Sequence, residues 1–473
     1  MDIFTAPYDY CDAAALFGAV AHMPYSLLID SADTAHPDGR YSYILINPIE
    51  IIEAHGHHIT ISSGSHLSHQ NGKDPFSTAK SRLAARDYLN LQLADLPPFQ
   101  GGLAGLFGYD LARTQETLPT SARSTSSMPD MALGLYDQVL AFDHAQQQAW
   151  IITHAKNELE ADMKRAVLRH NLSGARTQKM SDLPAVSWQE QFEKDTYIQR
   201  IASVQNYITE GDIFQANLSQ QFSTDLPAAF DPYAHYLHLR AINPAPFASY
   251  FNLGDVQIAS ASPERFLHAD AQRCISTKPI KGTAPRHPDT QLDTENALAL
   301  ETSEKDRAEN TMITDLLRND LSKSCTAQSI TVSDFCKIES FTDVHHLVTT
   351  IRGTLSEEQC ALDALQACFP GGSITGAPKI RAMEIIEELE EQRRHAYCGS
   401  IALIGCNGTM DSNILIRTLI FEKQSVRFNV GGGITTLSNP EAEYAETLDK
   451  AQSLFRSFAS THGTQDKERK ACA

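Results

Sequence analysis

From residue 195 onward, short strand-like runs and amphipathic helical patterns are interleaved, and this interleaving limits the fold more than any other feature. Residues 197–209 carry Ile198, Ile201, Val204, Tyr207 and Ile208 at helical spacing, and Gly211 ends the run. A strand is expected over 213–222. A hairpin is expected over 247–253 and 256–261, across Gly254-Asp255. Helical patterns at 303–321, 361–368 and 377–391 alternate with strand runs at 401–404, 413–421 and 426–430. The last helix has Asn439 at its N-cap and Pro440 at its first position, and runs to about 458. Sheets of this kind must be covered by helices, which means an α+β or α/β body.

The first 150 residues are mostly strand-like. Runs at 25–31 and 41–46 read as strands, 77–89 as a helix, and 139–142 with 148–153 as a strand pair. The run from Gly101 to Leu111 has glycines at 101, 102, 105 and 108 but no strand–turn–helix unit with a downstream acid. It is therefore an interior strand with close backbone approach rather than a dinucleotide site. Residues 157–170 have a helical pattern, and the polar stretch 171–187 is the best linker.

Composition excludes several functions. With a net charge of −19 and no basic stripe, no nucleic-acid partner is expected. Nine cysteines, an odd number without a C-x-x-C pair, suit reduced thiols in the cytoplasm. No stretch reaches membrane-spanning length and the N-terminus lacks a signal pattern, so no membrane partner is expected. An anionic substrate would need local cations against this acidic field.

Several residues stand out on that ground. Lys281 lies in Pro279-Ile-Lys-Gly-Thr283, after a strand-like run and beside turn residues; partial desolvation would make it a nucleophilic amine. Asp306 and Glu309 are three apart on one helix, with Ser303 as its cap, and Glu443 and Glu446 are three apart on another, with Lys450 on the same stripe. Such pairs suit Mg²⁺, though on spacing alone they fit a solvated acidic face as well. Gly431, Gly432 and Gly433 follow an apolar strand as an anion-binding backbone or a tight turn. Arg417 sits within the apolar run 413–420, so it is either ion-paired or aimed at an anion. Glu264 follows a strand end, as a general acid or a surface turn residue; of the adjacent His345 and His346, at most one can face a given cleft.

Taken together, these stretches resemble the chorismate-utilising enzymes. The matching residues are Gly211-Asp-Ile-Phe-Gln-Ala-Asn-Leu218, Ala261-Ser-Pro-Glu264, Pro279-Ile-Lys-Gly-Thr283 and Lys305-Asp-Arg-Ala-Glu-Asn310. They continue in family order with Asp315-Leu-Leu-Arg-Asn-Asp320, Val344-His-His-Leu347, Thr375-Gly-Ala-Pro-Lys-Ile-Arg381, Gly431-Gly-Gly433 and Glu443-Tyr-Ala-Glu446. The resemblance implies an α+β fold of two packed antiparallel β-sheets surrounded by helices. It implies an N-terminal accessory domain over 1–155, a linker over 156–194, a chorismate-binding catalytic domain over 195–458 and a flexible tail over 459–473.

The resemblance also implies the site. Glu309 and Glu446 would hold Mg²⁺, assisted by Asp306 and Glu443. The metal and the amides of Gly431, Gly432 and Gly433 would take the ring carboxylate of chorismate. Arg417 and Tyr397 would take the enolpyruvyl carboxylate, with Thr375 and Lys450 also binding substrate. Glu264 would protonate the departing C4 hydroxyl, Lys281 would attack C2, and His346 would be the active-site histidine. Isochorismate-forming members carry a water-activating lysine where this chain has Gln215, which argues against water as the nucleophile. Anthranilate synthases have alanine at position 281, so the lysine implies the subclass that aminates C4 and keeps the enolpyruvyl group, with anthranilate formation as the alternative. No glutaminase segment is recognisable, so ammonia is expected from a separate glutamine amidotransferase subunit. A non-catalytic sensor would be expected to lack Glu264, Glu309 or Glu446, and all three are present. The stretch Leu27-Leu-Ile-Asp-Ser31 is one residue longer than the tryptophan-site motif of anthranilate synthases, which leaves tryptophan binding open.

Overall fold

The computed structural model describes residues 1–85, 93–174, 186–340 and 344–459. Its strands form two 12-stranded sheets, and every named strand pair is antiparallel. Both sheets are built from both ends of the chain. In the first, Leu27–Asp30 pairs with Phe247–Asn252, joining the N-terminal strands to the later ones. In the second, Gly102–Phe107 pairs with Ser400–Gly405.

Strand alternation explains how the layers stack. In Gly102–Phe107, Leu103 and Phe107 point to one core, with Ile313, Leu317 and Leu365 from helices. Ala104 and Leu106 point to another core, shared with Leu27, Ile152, Ile258 and Ile420 of the opposite sheet. A third core lies on the far face of the first sheet, where Leu28, Tyr250 and Phe428 meet Leu168, Tyr236 and Leu454. The order is thus helix, sheet, sheet, helix, and the expected α+β class and paired antiparallel sheets are observed. Gly105 shows why the 101–108 run is rich in glycine. Its φ is +149°, and a Cβ there would lie 2.1 Å from the Ala132 carbonyl oxygen.

Most expected elements are present with shifted ends: the helices Lys194–Thr209, Glu304–Ser322, Ala361–Cys368 and Lys379–Glu390, and the hairpin Phe247–Asn252 with Val256–Ser262. The helix expected over 77–89 is Pro75–Ala84, and residues 86–92 lie outside the described residues. The segment expected to be a linker begins with the helix Glu158–Leu172, whose Leu168 and Leu172 are buried; residues 175–185, and the tail from 460, lie outside the described residues. Among the described residues no helix is long and apolar enough to cross a membrane.

Three expectations near the site need correction. The apolar run 413–421 is not one strand. Met410–Asn413 belongs to the second sheet and Thr418–Glu422 to the first, so residues 414–417 carry the chain from one sheet to the other. Arg417 turns there with φ +51°, outside any strand. Gly431, Gly432 and Gly433 are not a turn after a strand. They lie inside Ser425–Ile434, opposite Ser219, Leu218 and Asn217. Around Lys281 the chain forms no turn: Ile280–Pro285 is a strand whose register shifts between Ile280 and Thr283. A bulge of that kind re-aims a side chain, here Lys281.

Candidate active site

Two helices, the strand Ile280–Pro285 and the strand-free positions of Glu264 and Arg417 bring the charged residues together. The helix Glu304–Ser322 starts at Ser303, whose hydroxyl accepts from the Asp306 amide at 3.3 Å, so Asp306 and Glu309 fall in its first turns. The helix Pro440–Ser457 starts at Asn439, whose side chain accepts from the Ala442 amide at 3.0 Å, and presents Glu443 and Glu446. The helices meet through Lys305, whose Nζ is 3.6 Å from Glu443 Oε1 and 4.0 Å from Glu309 Oε1. Glu443 also accepts from the Ser438 hydroxyl at 2.7 Å.

The glycine strand forms the wall behind Glu443 and Glu446. A Cβ on Gly432 would stand 3.2 Å from Glu443 Oε2 and 3.9 Å from Glu446 Oε1, so glycine leaves room for a ligand there. Thr418–Glu422 pairs with this strand only as far as Arg427, and among the described residues its second edge is open beyond that point. Lys450 Nζ is fixed between Glu446 Oε1 at 2.7 Å and the Gly431 carbonyl at 3.0 Å. Burial raises the Glu446 pKa, but Lys450, Lys305 and Lys281 outweigh it and hold the carboxyl below its ordinary range.

Lys281 and Glu264 share one neighbour, Ser373. Lys281 Nζ donates to the Ser373 carbonyl at 3.2 Å, and the Ser373 hydroxyl donates to Glu264 Oε1 at 3.3 Å. Burial pushes the Lys281 ammonium down from its ordinary pKa, and the carboxylates of Glu309 and Glu264 offset this only in part. Burial pushes the Glu264 carboxyl up, against Lys281, Ser373, Lys450 and Arg417. A proton donor and an amine that deprotonates more readily therefore sit side by side. Gly282 makes the close approach possible. Its φ is +81°, and a Cβ would lie 2.8 Å from Asp306 Cγ.

His346 faces this strand and shares a 2.9 Å hydrogen bond with the Thr283 hydroxyl. Burial and Arg417 lower its pKa to about 4, so the ring is neutral near pH 7. His345 turns the other way, toward Asp293 at 3.0 Å. Arg417 is half-buried, in the field of Glu264. Two candidates are less direct. Tyr397 is buried in the core with the Arg394 guanidinium 5.6 Å from its ring. Thr375 is fully buried, and its hydroxyl donates to the Gly371 carbonyl at 2.9 Å, so it braces the turn that carries Ser373.

The donor chemistry fits Mg²⁺, which takes carboxylate oxygens and keeps several waters. Among the described residues Glu309 Oε1 is buried without a hydrogen-bond partner, as expected of an oxygen that takes a cation. Among the described residues, however, no three possible ligands are grouped tightly enough to hold an ion as they stand. Lys305 stands among them.

A cavity of about 310 Å³ lies between the sheets, lined by Ile29, Tyr43, Phe247 and Met410 among others. Arg265 spans it, 2.7 Å from Asp38 and 2.9 Å from Asp411, and no residue of the carboxylate cluster lines it.

The family model described as chorismate binding enzyme matches residues 29–456. Aminodeoxychorismate synthase component 1 of Escherichia coli (strain K12) is 41% identical over 447 residues, covering 94% of this chain and 96% of that protein. Anthranilate synthase component 1 of Streptomyces coelicolor is 34% identical, covering 90% of this chain and 82% of that protein. Among solved structures, anthranilate synthase component I from Streptococcus pneumoniae TIGR4 superposes with a TM-score of 0.77 at 30% identity, over 88% of this chain and 92% of that one.

Proposed function

The chain belongs to the chorismate binding enzyme family, and on that premise we propose that it converts chorismate and ammonia into 4-amino-4-deoxychorismate. The observation that carries this reading is the Lys281 amine, lowered in pKa by burial and bridged through Ser373 to the protonatable Glu264. The name borne by the E. coli relative points the same way. The neutral amine attacks C2 of chorismate, the two conjugated ring double bonds each shift one position toward C4, and the C4 hydroxyl leaves as water with the proton of Glu264. Ammonia then adds at C4, both double bonds shift back, and the C2–N bond breaks to return Lys281 as an amine; Glu264 takes a proton from the incoming nitrogen. Covalent catalysis of this kind divides one difficult displacement into two easier ones.

Glu309, Glu446, Asp306 and Glu443 would hold Mg²⁺, which supplies positive charge to the ring carboxylate of the substrate. The open edge offers that carboxylate the backbone donors of Gly431 and Gly433, while Gly432 pairs with Leu218 within the sheet, and Lys450 neutralises the wall beside it. Arg417 takes the enolpyruvyl carboxylate. Neutral His346 keeps the polar rim in place without adding charge. Among the described residues Gln215 Oε1 is buried without a hydrogen-bond partner. An amide has no basic group with which to activate water, which favours ammonia as the nucleophile. The ammonia comes from a separate glutamine amidotransferase subunit, and the product is a precursor of p-aminobenzoate on the way to folate. The cysteines among the described residues are free, which agrees with a cytoplasmic enzyme.

Anthranilate formation is the second reading, favoured by the Streptomyces and Streptococcus relatives. Product analysis of the purified chain with chorismate, Mg²⁺ and ammonium separates the two. The expected product keeps the enolpyruvyl ether, and glutamine replaces ammonium only after a glutaminase subunit is added. Anthranilate with stoichiometric pyruvate would overturn the first reading.

A further inference from the structure

We propose that Lys305 is a tethered counter-ion that occupies the space between the carboxylate pairs until a divalent cation displaces it. The inference rests on the reading of this cluster as a Mg²⁺ site and adds how the site exists before the metal arrives. Glu443 and Glu309 are mostly buried, with side chains 5% and 14% exposed. Two such carboxylates facing each other without a cation would carry a large desolvation and repulsion penalty. Lys305 Nζ stands 3.6 Å from one and 4.0 Å from the other, within ion-pair range but longer than a hydrogen bond. The position of Lys305 agrees with the absence, among the described residues, of any ready-made three-ligand group.

The two other lysines near these carboxylates, Lys450 and Lys281, are anchored differently. Lys450 and Lys281 each donate to a backbone carbonyl, that of Gly431 and of Ser373. Among the described residues Lys305 is held by the carboxylates of Glu443 and Glu309 and not by a backbone carbonyl, and its side chain is 44% exposed. A long, half-exposed stem can swing its ammonium into water at little cost once a stronger cation takes the same oxygens. Because Lys305 precedes Glu309 by one helical turn, the exchange needs only a change of rotamer, with no movement of the helix. The ammonium also guards the site: a monovalent ion would have to displace an attached charge without gaining the double charge that compensates for it.

The test is a calorimetric titration of Mg²⁺, without chorismate, into the wild-type chain, Lys305→Met, Lys305→Arg and Glu309→Gln. Thermal unfolding of each protein in EDTA and in Mg²⁺ accompanies it. Lys305→Met should bind Mg²⁺ about three- to tenfold more tightly than wild type, the range expected when a half-exposed competing ion pair is removed. It should also melt lower in EDTA and recover in Mg²⁺, while Lys305→Arg stays close to wild type. Equal or weaker Mg²⁺ binding by folded Lys305→Met, with Glu309→Gln still abolishing binding, would overturn the counter-ion role and leave the metal site standing. Mg²⁺ binding by neither wild type nor Lys305→Met, or binding undisturbed by Glu309→Gln, would overturn both.

Discussion

Lys281 Nζ donates to the Ser373 carbonyl at 3.2 Å, while the hydroxyl of the same serine donates to Glu264 at 3.3 Å. One residue therefore aligns the amine and the acid, through its backbone and its side chain separately. Ser373→Ala removes only the second contact. A hydrogen bond to a carboxyl contributes about 1–1.5 kcal/mol, so turnover should fall about five- to tenfold. The Lys281 contact persists in this variant, so KM for chorismate should change little. Steady-state kinetics at saturating Mg²⁺ and fixed ammonia measures both, and an unchanged kcat would show that the serine hydroxyl does not position Glu264.

The metal reading makes a separate demand. Glu309→Gln and Glu446→Gln keep the shape of each side chain and remove one charge. Each should lower Mg²⁺-dependent turnover by about a hundredfold or more, since a bound metal contributes several kcal/mol of charge stabilisation. Among the described residues Glu309 Oε1 accepts no hydrogen bond, and its 4.0 Å ion pair with Lys305 leaves that lysine still paired with Glu443, so the Glu309→Gln protein should melt close to wild type in EDTA. Wild-type turnover that persists in EDTA would refute the metal role of both residues.

How far the sequence discloses such a site depends on what makes each contact. The carboxylate pairs were legible because i, i+3 spacing on a capped helix fixes a shared face, and the caps at Ser303 and Asn439 are where their residue types place them. The glycine approach at residue 105 was legible for a similar reason. The crossing at Arg417 was not. Residues 414–416 are apolar, with no glycine or proline to mark the change of sheet, so the run reads as one strand. The bulge at Lys281 and Gly282 is set by pairing with Val344–Thr354, a partner far along the chain. The contact of Ser373 with Lys281 is made by a backbone carbonyl, which every residue possesses, so no residue type announces it. Lys305 was visible only as part of a motif, because its role depends on Glu443 from another helix.

Glu422 and Arg427 yield a prediction about stability. Both side chains are 8% exposed, and Glu422 accepts from Arg427 at 2.9 Å, from the Ser127 amide at 3.0 Å and from the hydroxyls of Ser126 and Ser127 at 2.7 Å. Burial alone would raise its pKa; these donors outweigh burial and bring it down to about 2. A carboxyl depressed in the folded state contributes stability above its unfolded pKa of about 4.3, and that contribution is lost as pH falls through the folded value. Glu422→Gln should therefore cost about 3 kcal/mol near neutral pH, because it leaves Arg427 buried with its charge uncompensated. The difference from wild type should narrow between about pH 4 and pH 2. Thermal unfolding across that range measures it, and a pH-independent difference would show that the effect is packing rather than charge.

The last prediction concerns Lys281 itself. Attack on C2 needs the amine neutral, and departure of the C4 hydroxyl needs Glu264 protonated. Burial moves both pKa values toward that state, the lysine downward and the glutamate upward. At constant free ammonia, activity should fall in acid as Lys281 gains its proton and fall in base as Glu264 loses its own. Lys281→Ala should lose at least a hundredfold in turnover, the scale of contribution expected from a positioned covalent or acid–base group. Whatever activity it retains should lack the acid limb. With chorismate and Mg²⁺ present and ammonia withheld, intact-protein mass spectrometry should detect an adduct of chorismate minus water, and peptide mapping should place it on Lys281. The adduct should discharge when ammonium is added and should not form on Lys281→Ala. An aminated product that keeps the enolpyruvyl ether, made by Lys281→Ala at the wild-type rate and without an adduct in wild type, would leave the reaction in place and remove the covalent route.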